Sequence, residues 1–447
     1  RENWHNDPNG LVFFGGEYHL FFQHNPRSRD WGNMTWGHAV SRDLVRWRQL
    51  DHALHPDRLG TMFSGSAVVD WKNTGGFQKG SEPALVALYT AAGGTSEESK
   101  GQRFTQCLAY SNDRGRTWTK YDGNPVLANV GEGDRDPKVF WHTPSARWIM
   151  PLYVGEKDPV ARDAKGKPVV HHACHFYTST NLKAWQFASR FAEPLYECPG
   201  LVQLRIEGTP GESRWVLWGA SGDYWIGHFD GREFKAESPR IRGDHGANFY
   251  AAQAFDDLPD HRVVLISWMN GGKYPGMPFN QQMGFPVVLS LRKTPDGLRL
   301  VKTPVAEIAS LVAGGTALAP QSLGPGGNPL AGFEAELADI DLEIEPAGAP
   351  EITVQLRGAV LRWDAKTAQL EGFGRKAPLA PIQGRLRLRA LVDRTSIELF
   401  GNDGVVTLSQ CFLPKPDDRH FALAAMGTEA RLVGGRARRL GSSWTTR

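Results

Sequence analysis

The chain has 447 residues, enough for two or three domains of ordinary size. With 40% hydrophobic and 22% charged residues it can bury a large core, which excludes a disordered chain. The net charge of +3 is too balanced for a protein built around a nucleic-acid backbone. No apolar run approaches the roughly 18 residues of a membrane-spanning helix, so we expect no membrane insertion.

The first two-thirds of the chain predicts β-strands joined by turns. Residues 10–24 form two apolar runs split by Gly15 and Gly16, a pattern that predicts a β-hairpin. None of the later apolar runs has helical periodicity, and we predict strands for all of them. These runs are 84–91, 148–154, 215–219 and 263–269.

A short motif recurs with a period of about 70 residues. It is a polar turn that ends in tryptophan and follows a strand-like segment, at 41–47, 111–118 and 179–185. One unit of about four strands at this period is typical of a propeller blade. The first 290 residues or so would hold four to five such blades.

The last third of the chain predicts a second β-domain. Residues 294–329 are rich in Pro and Gly, contain one possible short helix at 305–312, and are interpreted as a linker. Alternating patterns return from Leu330 onward and predict a β-sandwich. The predicted domains are therefore a propeller at 1–293, the linker, and a sandwich at 330–447.

Three acidic sites stand out in the propeller region. Asp7 lies in the turn Asn-Asp-Pro-Asn-Gly just ahead of a strand, where an Asx turn is the alternative. Asp136 follows Arg135, a cation expected to keep it ionised, although a weak surface ion pair explains the same pattern. Glu197 has an aromatic residue, a thiol and a proline nearby and no adjacent cation, which favours a raised pKa. The alternative for Glu197 is a partly buried carboxyl capped by a turn.

The three sites fall on three different predicted blades, and the blades of a propeller converge on one axial funnel. An ionised nucleophile, a protonated acid and an orienting anion at one place suit glycoside hydrolysis. Aromatic side chains near these sites offer faces on which a sugar ring stacks: Trp4, Trp31, Trp36, Phe63, Trp141 and Trp268.

Two cysteine- and histidine-bearing segments invite other interpretations. The run His-His-Ala-Cys-His at 171–175 does not have standard zinc spacing, and we predict no metal site there. Cys198 is interpreted as a packing or hydrogen-bonding thiol rather than a nucleophile. No signal peptide is recognised ahead of the first motif, so these residues do not reveal export.

Seven short motifs follow one another along nearly the whole chain. They are Asn-Trp-His-Asn-Asp-Pro-Asn-Gly at 3–10, Trp-Gly-His-Ala-Val-Ser at 36–41, Phe-Ser-Gly-Ser at 63–66, Arg-Asp-Pro at 135–137, Glu-Cys-Pro at 197–199, Asp-x-Gly at 244–246 with Phe-Tyr-Ala at 249–251, and Asp-Arg-Thr-Ser-Ile-Glu-Leu-Phe at 393–400. In this order the set resembles glycoside hydrolase family 32, the invertase, inulinase and levanase family.

The resemblance implies an all-β fold, a five-bladed β-propeller followed by a C-terminal β-sandwich. It implies that Asp7 is the nucleophile on the anomeric carbon of a β-fructofuranosyl unit and that Glu197 is the general acid and then the general base. It gives Asp136 the role of binding fructose hydroxyls and stabilising the transition state. A retaining reaction places the carboxyls of Asp7 and Glu197 roughly 5–5.5 Å apart.

The resemblance also implies a substrate-binding shell and a set of partners. The expected shell is Asn6, Gln23, Trp31, Phe63, Ser64, Arg135, Tyr250 and Trp268. The expected substrates are fructans or sucrose, with no metal or organic cofactor and no nucleic acid. Because fructan polymers are large and lie outside cells, the expected location is extracellular or periplasmic.

One segment departs from the pattern of many relatives, which carry Trp-Arg-Gly and then Pro-Arg. Here residues 277–287 read Met-Pro-Phe-Asn-Gln-Gln-Met-Gly-Phe-Pro-Val, which leaves the outer subsites and the leaving-group preference open. The first hypothesis is an exo-acting β-fructosidase on levan, inulin or sucrose. The alternatives are a fructosyltransferase or endo-fructanase on the same site, a non-catalytic fructan-binding lectin, and a relative of the five-bladed arabinosidases and xylosidases.

Overall fold

The computed structural model describes residues 2–324, 326–427 and 430–444. Residues 1, 325, 428–429 and 445–447, on which parts of the predicted domain ranges fall, lie outside the described residues. Within the described residues the chain forms 33 strands and two short 3₁₀ turns, Thr143–Ser145 and Ala306–Leu311.

The strands of the first half of the chain are β1 (Asn3–Phe14), β2 (Glu17–Asn25), β3 (Thr35–Ser41), β4 (Trp47–Leu54), β5 (Thr61–Val69), β6 (Leu85–Ala92), β7 (Thr105–Ser111), β8 (Thr119–Lys120), β9 (Phe140–His142), β10 (Arg147–Arg162), β11 (Pro168–Ser179), β12 (Gln186–Arg190), β13 (Gly200–Arg205), β14 (Ser213–Trp218), β15 (Tyr224–Phe229) and β16 (Phe234–Ala236). The following strands are β17 (Phe249–Ala254), β18 (Val264–Met269), β19 (Phe279–Asn280), β20 (Val287–Thr294), β21 (Gly297–Pro304), β22 (Val312–Leu318) and β23 (Gln321–Ser322). The last strands are β24 (Ala338–Glu345), β25 (Glu351–Leu356), β26 (Ala359–Asp364), β27 (Gln369–Gly372), β28 (Arg375–Pro378), β29 (Leu386–Val392), β30 (Ser396–Gly401), β31 (Val406–Cys411), β32 (Phe421–Ala425) and β33 (Arg431–Leu440).

Apart from β19, which pairs with β1, the first 21 strands form sheets in chain order, as propeller blades do. Their strand orders are β19-β1-β2-β3-β4, β5-β6-β7-β8, β12-β11-β10-β9, β13-β14-β15-β16 and β17-β18-β20-β21. Two further sheets have the orders β22-β33-β24-β29-β30-β31, with β23 on β33, and β28-β27-β26-β25-β32. The predicted fold class, a five-bladed propeller followed by a β-sandwich, is confirmed.

The chain divides into two compact units. The first comprises Arg1–Arg242, Tyr250–Trp268 and Pro275–Met283. The second comprises Gly243–Phe249, Met269–Tyr274 and Gly284–Arg447. The segment 294–329, predicted as a linker, contains β21, one 3₁₀ turn, β22 and β23.

The repeated tryptophan motif is the turn before the last strand of a blade. The indole nitrogen of Trp47 donates to the carbonyl of Leu44 at 3.0 Å, just ahead of β4. Trp118 and Trp185 make the same contact three residues back, at 3.1 and 2.9 Å, ahead of β8 and β12. The period of about 70 residues was therefore a correct sign of blades.

The hydrophobic core of the first unit is divided into layers between successive sheets. One cluster packs Phe21 and Trp36 of the first blade against Tyr89 of the second. Another packs Leu88 of the second blade against Met150 of the third. These layers hold the blades side by side, so that the strand ends carrying polar residues keep fixed positions.

The second unit contains a sandwich whose two sheets bury one continuous cluster, with Leu342, Ile397 and Leu399 from one sheet and Leu356 and Leu423 from the other. Buried and more exposed positions alternate in strands such as β25 and β26, as the sequence predicted for the last third of the chain.

Two of the sequence motifs are explained within the second unit. Asp244 is buried and accepts hydrogen bonds from the backbone nitrogen of Ser409 at 3.0 Å and from its hydroxyl at 2.9 Å. Gly246 lies so close to Ser409 that a Cβ atom would fall 1.9 Å from its carbonyl oxygen. Glu398 is buried and accepts a hydrogen bond from the backbone of Phe285 at 2.8 Å. These motif residues have structural contacts inside this unit.

All four cysteines are free. A search of the described residues for a helix long and apolar enough to traverse a membrane finds none.

Candidate active site

Asp7 lies in β1 and is almost completely buried, 8% exposed. One carboxylate oxygen accepts hydrogen bonds from the Ser64 hydroxyl at 2.5 Å and the Gln23 amide at 3.3 Å. The other accepts from the Asn6 amide at 3.1 Å, and the indole of Trp4 fixes Asn6 through a bond of 2.8 Å. Burial raises the pKa of Asp7, and the hydrogen bonds from Ser64 and Asn6 oppose that rise.

Asp136 lies a few residues before β9 in a left-handed backbone conformation, with φ of 65°. Its own backbone nitrogen donates to the hydroxyl of Thr90 at 3.0 Å, and its side chain accepts from the backbone nitrogen of Cys198 at 3.0 Å. The strained backbone is thus held by contacts from two other segments of the chain.

Glu197 lies just before β13, also in a left-handed conformation, with φ of 49°. Arg135 donates from Nε at 2.9 Å and from Nη2 at 2.7 Å to the Glu197 Oε1 atom. The Tyr250 hydroxyl donates to Oε2 at 2.6 Å. Burial and then the charge of Glu197 raise the pKa of Tyr250, so this phenol remains a donor at neutral pH.

The role expected for Arg135 needs a correction. The sequence suggested that Arg135 keeps its neighbour Asp136 ionised and that Glu197 has no adjacent cation. In the structure Arg135 pairs with Glu197, and burial raises the pKa of Asp136 to about 7. The charge of Arg135 lowers that pKa but does not offset burial and the nearby charges of Glu197 and Asp7.

The three carboxylates meet around Cys198. Its sulfur atom lies 3.4 Å from the Asp136 Oδ2 atom and 3.7 Å from the Asp7 Oδ2 atom. Glu197 is its neighbour in the chain. Acidic residues from three blades, 190 residues apart in the chain at the extremes, therefore converge on one site, as the sequence predicted. The thiol is buried and hydrogen-bonded, in agreement with its sequence interpretation.

Aromatic side chains border this cluster on two sides. Trp268 packs edge-on against Trp4 at 6.2 Å and Tyr250 at 5.9 Å between ring centroids. Phe63 and Trp31 form a second aromatic contact at 6.0 Å, and Trp31 is 55% exposed. Phe63 precedes Ser64, which bonds Asp7, so this exposed indole is connected to the carboxylate cluster through one residue and suits a ligand with apolar and hydroxylated faces.

Two of the aromatic residues singled out from the sequence are not part of this cluster. Trp36 is fully buried, and its indole nitrogen donates to the carbonyl of Phe63, the residue before Ser64, at 2.9 Å. Trp141 lies on β9, packs against Trp148 at 5.1 Å and carries the ammonium of Lys72 over its ring. These are packing contacts on β9, and none of them is with the carboxylate cluster.

The side chains of the histidine- and cysteine-rich segment on β11 form ion pairs or pack in the hydrophobic core. His171 bonds Asp158 at 2.9 Å, and His175 bonds Glu156 at 2.8 Å. Cys174 is fully buried in a hydrophobic cluster. Among residues 2–324, 326–427 and 430–444, no group of three potential metal-ligating side chains is positioned around a common point.

Sequence reasoning missed the residues that support Arg135. The guanidinium of Arg135 lies 4.4 Å from the ring centre of Tyr153, whose hydroxyl is 2.8 Å from the Nδ1 atom of His172. The hydroxyl of Tyr196 accepts a long bond of 3.5 Å from the same guanidinium. Tyr153 lies inside a long apolar run, and the sequence gives no sign that it packs on Arg135. Its contact with Arg135 is evident only from the structure, where the two residues pair across neighbouring segments.

A propeller whose strand ends bring three largely buried carboxylates into one aromatic-lined site is typical of glycoside hydrolases that work with paired carboxyl groups. Comparison with known families specifies the class further. The model for the glycosyl hydrolases family 32 N-terminal domain matches residues 1–304, and the model for the family 32 C terminal matches residues 337–437. The chain belongs to glycosyl hydrolases family 32 and is a glycoside hydrolase.

Individual relatives agree with this assignment. The chain is 38% identical to a levanase of Bacillus subtilis (strain 168), over 95% of this chain and 66% of that protein. It is 31% identical to an extracellular exo-inulinase of Aspergillus awamori, over 99% of this chain and 94% of that protein. The chain thus spans about two thirds of the levanase and nearly all of the exo-inulinase.

Solved structures give the same result. A crystal structure of the Aspergillus awamori exo-inulinase superimposes with a TM-score of 0.87 at 31% identity, covering 99% of this chain and 97% of that chain. The fructofuranosidase of Schwanniomyces occidentalis complexed with fructosylnystose gives a TM-score of 0.86 at 27% identity, covering 99% and 96%.

Proposed function

We propose that this glycoside hydrolase is an exo-acting β-fructosidase that releases terminal fructose from fructans such as levan and inulin, and from sucrose, with retention of configuration. The observation that supports the proposal is the convergence of Asp7, Asp136 and Glu197 on one buried site with different hydrogen-bond partners. The named relatives are levanases, exo-inulinases and fructofuranosidases, which favours a fructosyl substrate.

In the first step the carboxylate of Asp7 attacks the anomeric carbon of the terminal fructosyl unit. Glu197 transfers its proton to the departing glycosidic oxygen as the carbon–oxygen bond breaks. The products are a fructosyl ester on Asp7 and the shortened chain, or glucose when sucrose is the substrate. The Asn6, Gln23 and Ser64 donors hold the Asp7 carboxyl in place throughout.

In the second step Glu197 accepts a proton from water, and the water oxygen attacks the same carbon. The ester bond to Asp7 breaks, fructose leaves, and both carboxyl groups return to their starting state. Two displacements at one carbon give net retention. Arg135 and Tyr250 bond opposite oxygens of Glu197, so the group keeps its orientation while it changes from acid to base.

Asp136 is assigned to the fructose hydroxyls and to the positive charge that develops in the transition state. It is 5% exposed, and its remaining oxygen is available to a sugar hydroxyl as either donor or acceptor at a pKa of about 7. In a buried site such a contact is worth more than in water.

We propose that the enzyme works outside the cytoplasm. Fructan polymers are too large to cross a membrane unaided, and the Aspergillus relative is described as extracellular.

Product analysis tests the proposal. The purified protein is incubated separately with sucrose, inulin and levan, and the sugars are resolved by chromatography. Free fructose as the product from a polymer, with equal glucose and fructose from sucrose, is the expected result. Released oligomers would contradict exo action, and excess glucose over fructose from sucrose would indicate fructosyl transfer. An Asp7→Ala preparation, with Asp230→Ala as the matched surface control, shows that the activity belongs to this site.

A further inference from the structure

Two buried polar side chains of the second blade hold the backbone segment that carries Asp136. Thr90 on β6 and Gln106 on β7 pair directly across the two strands, and both residues are fully buried. None of the seven sequence motifs contains them. A polar side chain inside a fold is costly unless it is hydrogen-bonded, so the partners of these two residues show what they do.

Three hydrogen bonds join this pair to both ends of the segment 134–136. The Gln106 amide nitrogen donates to the carbonyl of Asp134 at 3.0 Å. The backbone nitrogen of Asp136 donates to the Thr90 hydroxyl at 3.0 Å, and that hydroxyl donates to the Gln106 amide oxygen at 2.7 Å. The bonds therefore close a ring around a short stretch of backbone, with Arg135 between its two ends.

The chemistry of this ring allows one arrangement of its atoms. A backbone nitrogen only donates and a carbonyl only accepts, so Asp136 requires an acceptor and Asp134 a donor. The Gln106 amide meets the second need with its nitrogen and therefore turns its oxygen toward Thr90. A hydroxyl accepts and donates at once, which is what the position of Thr90 requires. A methyl group there would leave the Asp136 nitrogen and the Gln106 oxygen buried and unpaired.

The second blade holds the residues after Asp136 as well. Ser66 on β5 is fully buried, donates to the carbonyl of Pro137 at 2.9 Å and accepts from the nitrogen of Val139 at 2.7 Å. The Asp136 carboxylate is fixed separately, by the backbone nitrogen of Cys198 at 3.0 Å. The backbone of Asp136 is thus set by the second blade, and its side chain is held by the segment that precedes β13.

Asp136 needs this support because its backbone is left-handed, with φ of 65°. A residue with a side chain is strained in this region and remains there only when surrounding contacts determine it. Loss of the Thr90 bond removes one restraint on the peptide between Arg135 and Asp136, and the unpaired nitrogen favours a shift of that backbone. A shift of about 1 Å in a group that acts on the transition state costs on the order of 10²-fold in rate.

We infer that Thr90 and Gln106 are positioning residues for Asp136, whose carboxylate they place against the fructosyl unit by setting its backbone conformation. Both act through the backbone of residues 134–136 rather than through contact with substrate. The inference rests on the proposed function, because it takes Asp136 as the group that binds the fructose hydroxyls and stabilises the transition state.

Thr90→Val tests the inference, because valine keeps the shape of threonine and removes the hydroxyl. Its kcat on sucrose is expected to fall about 10- to 100-fold with a smaller change in KM, since a misplaced Asp136 weakens transition-state contacts most. Thr90→Ser keeps the hydroxyl and is expected to restore most of the loss. Thr407→Val is the matched control and is expected to have parental kinetics. Thr407 is also buried, and its hydroxyl contacts the Gly243 carbonyl at 3.0 Å and the Asp244 carboxylate at 2.9 Å in the second unit.

A double-variant cycle separates positioning from a general loosening of the blade. The substrate is an activated aryl β-fructofuranoside, on which Asp136→Asn is expected to be slow but measurable. Adding Thr90→Val to Asp136→Asn is expected to leave that low rate nearly unchanged, because the contact through which Thr90 acts is already lost. A hydroxyl that only stabilised the fold would lower the rate by the same factor in both backgrounds.

Gln106→Met opens the same ring from its other side and is expected to lower kcat more than it changes KM. It also carries the test if Thr90→Val does not fold, which the melting temperature shows. A parental kcat in whichever of the two variants folds, or equal factors in both backgrounds of the cycle, overturns the inference while leaving the proposed function standing. A parent protein inactive on sucrose, levan and inulin alike overturns the proposed function itself, and the inference with it.

Discussion

Arg135 and Glu197 are 62 residues apart in the chain, and the guanidinium of the first donates two hydrogen bonds to one carboxylate oxygen of the second. The pair is only partly exposed, 15% for Arg135 and 21% for Glu197. Tyr250 donates to the other oxygen, so the Glu197 carboxyl is held in one orientation. Substrate therefore approaches this carboxyl from its exposed side. This arrangement leads to the first prediction.

Replacing Arg135 with lysine is expected to lower kcat/KM on sucrose on the order of 10²-fold. Lysine keeps the charge but cannot donate two bonds from one plane or stack 4.4 Å above the ring of Tyr153. Steady-state kinetics on sucrose measure the effect. Arg190→Lys is the control, because Arg190 bonds Glu156 through the same two guanidinium atoms away from the site. Near-parental kinetics in Arg135→Lys would contradict the positioning role.

Removal of the proposed nucleophile gives a stereochemical test. Asp7→Ala is expected to lower kcat on the order of 10⁴-fold or more, because no ester forms. Added azide fits the vacated space and attacks an activated β-fructofuranoside directly, which gives the inverted fructosyl azide. In Glu197→Ala, azide instead attacks the ester on Asp7 and gives the retained azide. NMR of the two products distinguishes them, and identical configurations would contradict the assigned roles.

The hydrogen bond from Ser64 to Asp7 predicts a shift in the pH profile. Burial raises the pKa of Asp7, and the Ser64 bond opposes the rise, so losing the bond raises that pKa further. Asp7 must be ionised to attack, so kcat/KM falls as the pH drops through its pKa. The acidic limb is expected above the ordinary aspartate value of about 3.9 in the parent, and at still higher pH in Ser64→Ala. A limb at the same pH in both proteins would show that another group controls it.

The positions of the three carboxylates were accessible from the sequence, but their electrostatic partners were not. Asp7, Asp136 and Glu197 lie in short motifs at the starts of blades, and a period of about 70 residues sufficed to place them near one another. Arg135 precedes Asp136 in the chain, yet Arg135 donates to Glu197 and the Asp136 carboxylate accepts from the backbone nitrogen of Cys198. The partner of Arg135 is therefore set by packing between blades.

The alternation of apolar residues predicted the long strands of the fold but not the short ones. The sandwich strands β24, β25, β29, β30 and β31 lie in the region after Leu330 where alternating patterns predicted a sandwich. Strands β27 and β28 have four residues each and include the exposed residues Glu371, Arg375 and Lys376, and the sequence indicated no strand there. The basic strand β33 pairs with β24 and forms ion pairs with Asp339 and Asp341. Cross-strand partners of this kind are not local in the sequence.

The thiol of Cys198 is expected to be inert in the native protein despite its place among the carboxylates. Burial and then the charges of Asp136 and Asp7 raise its pKa, so the reactive thiolate is scarce at pH 8. Iodoacetamide is expected to leave the native protein active and unlabelled at Cys198, as peptide mass spectrometry shows. In denaturant all four free cysteines are expected to react. Inactivation of the native protein with label on Cys198 would contradict this account.

Glu398 predicts a loss of stability at alkaline pH. Burial in the second unit raises its pKa to about 8, well above the ordinary glutamate value of about 4.3. A carboxyl whose pKa is raised on folding holds a proton in the folded state that the unfolded state has lost. The resulting loss of folding free energy is therefore absent below about pH 4, grows between the two pKa values, and is complete above about pH 8.

Glu398→Gln keeps the acceptor oxygen for the backbone nitrogen of Phe285 and removes the buried charge. Its melting temperature is expected to change less than that of the parent between pH 6 and pH 9, and to exceed it at pH 9. Glu343→Gln is the control, because Arg385 and Arg387 lower the pKa of Glu343, so its contribution is already constant over this range. Parallel melting curves for the parent and Glu398→Gln would show that Glu398 is ionised in the folded protein. The role of its buried position would then be hydrogen bonding to Phe285 alone.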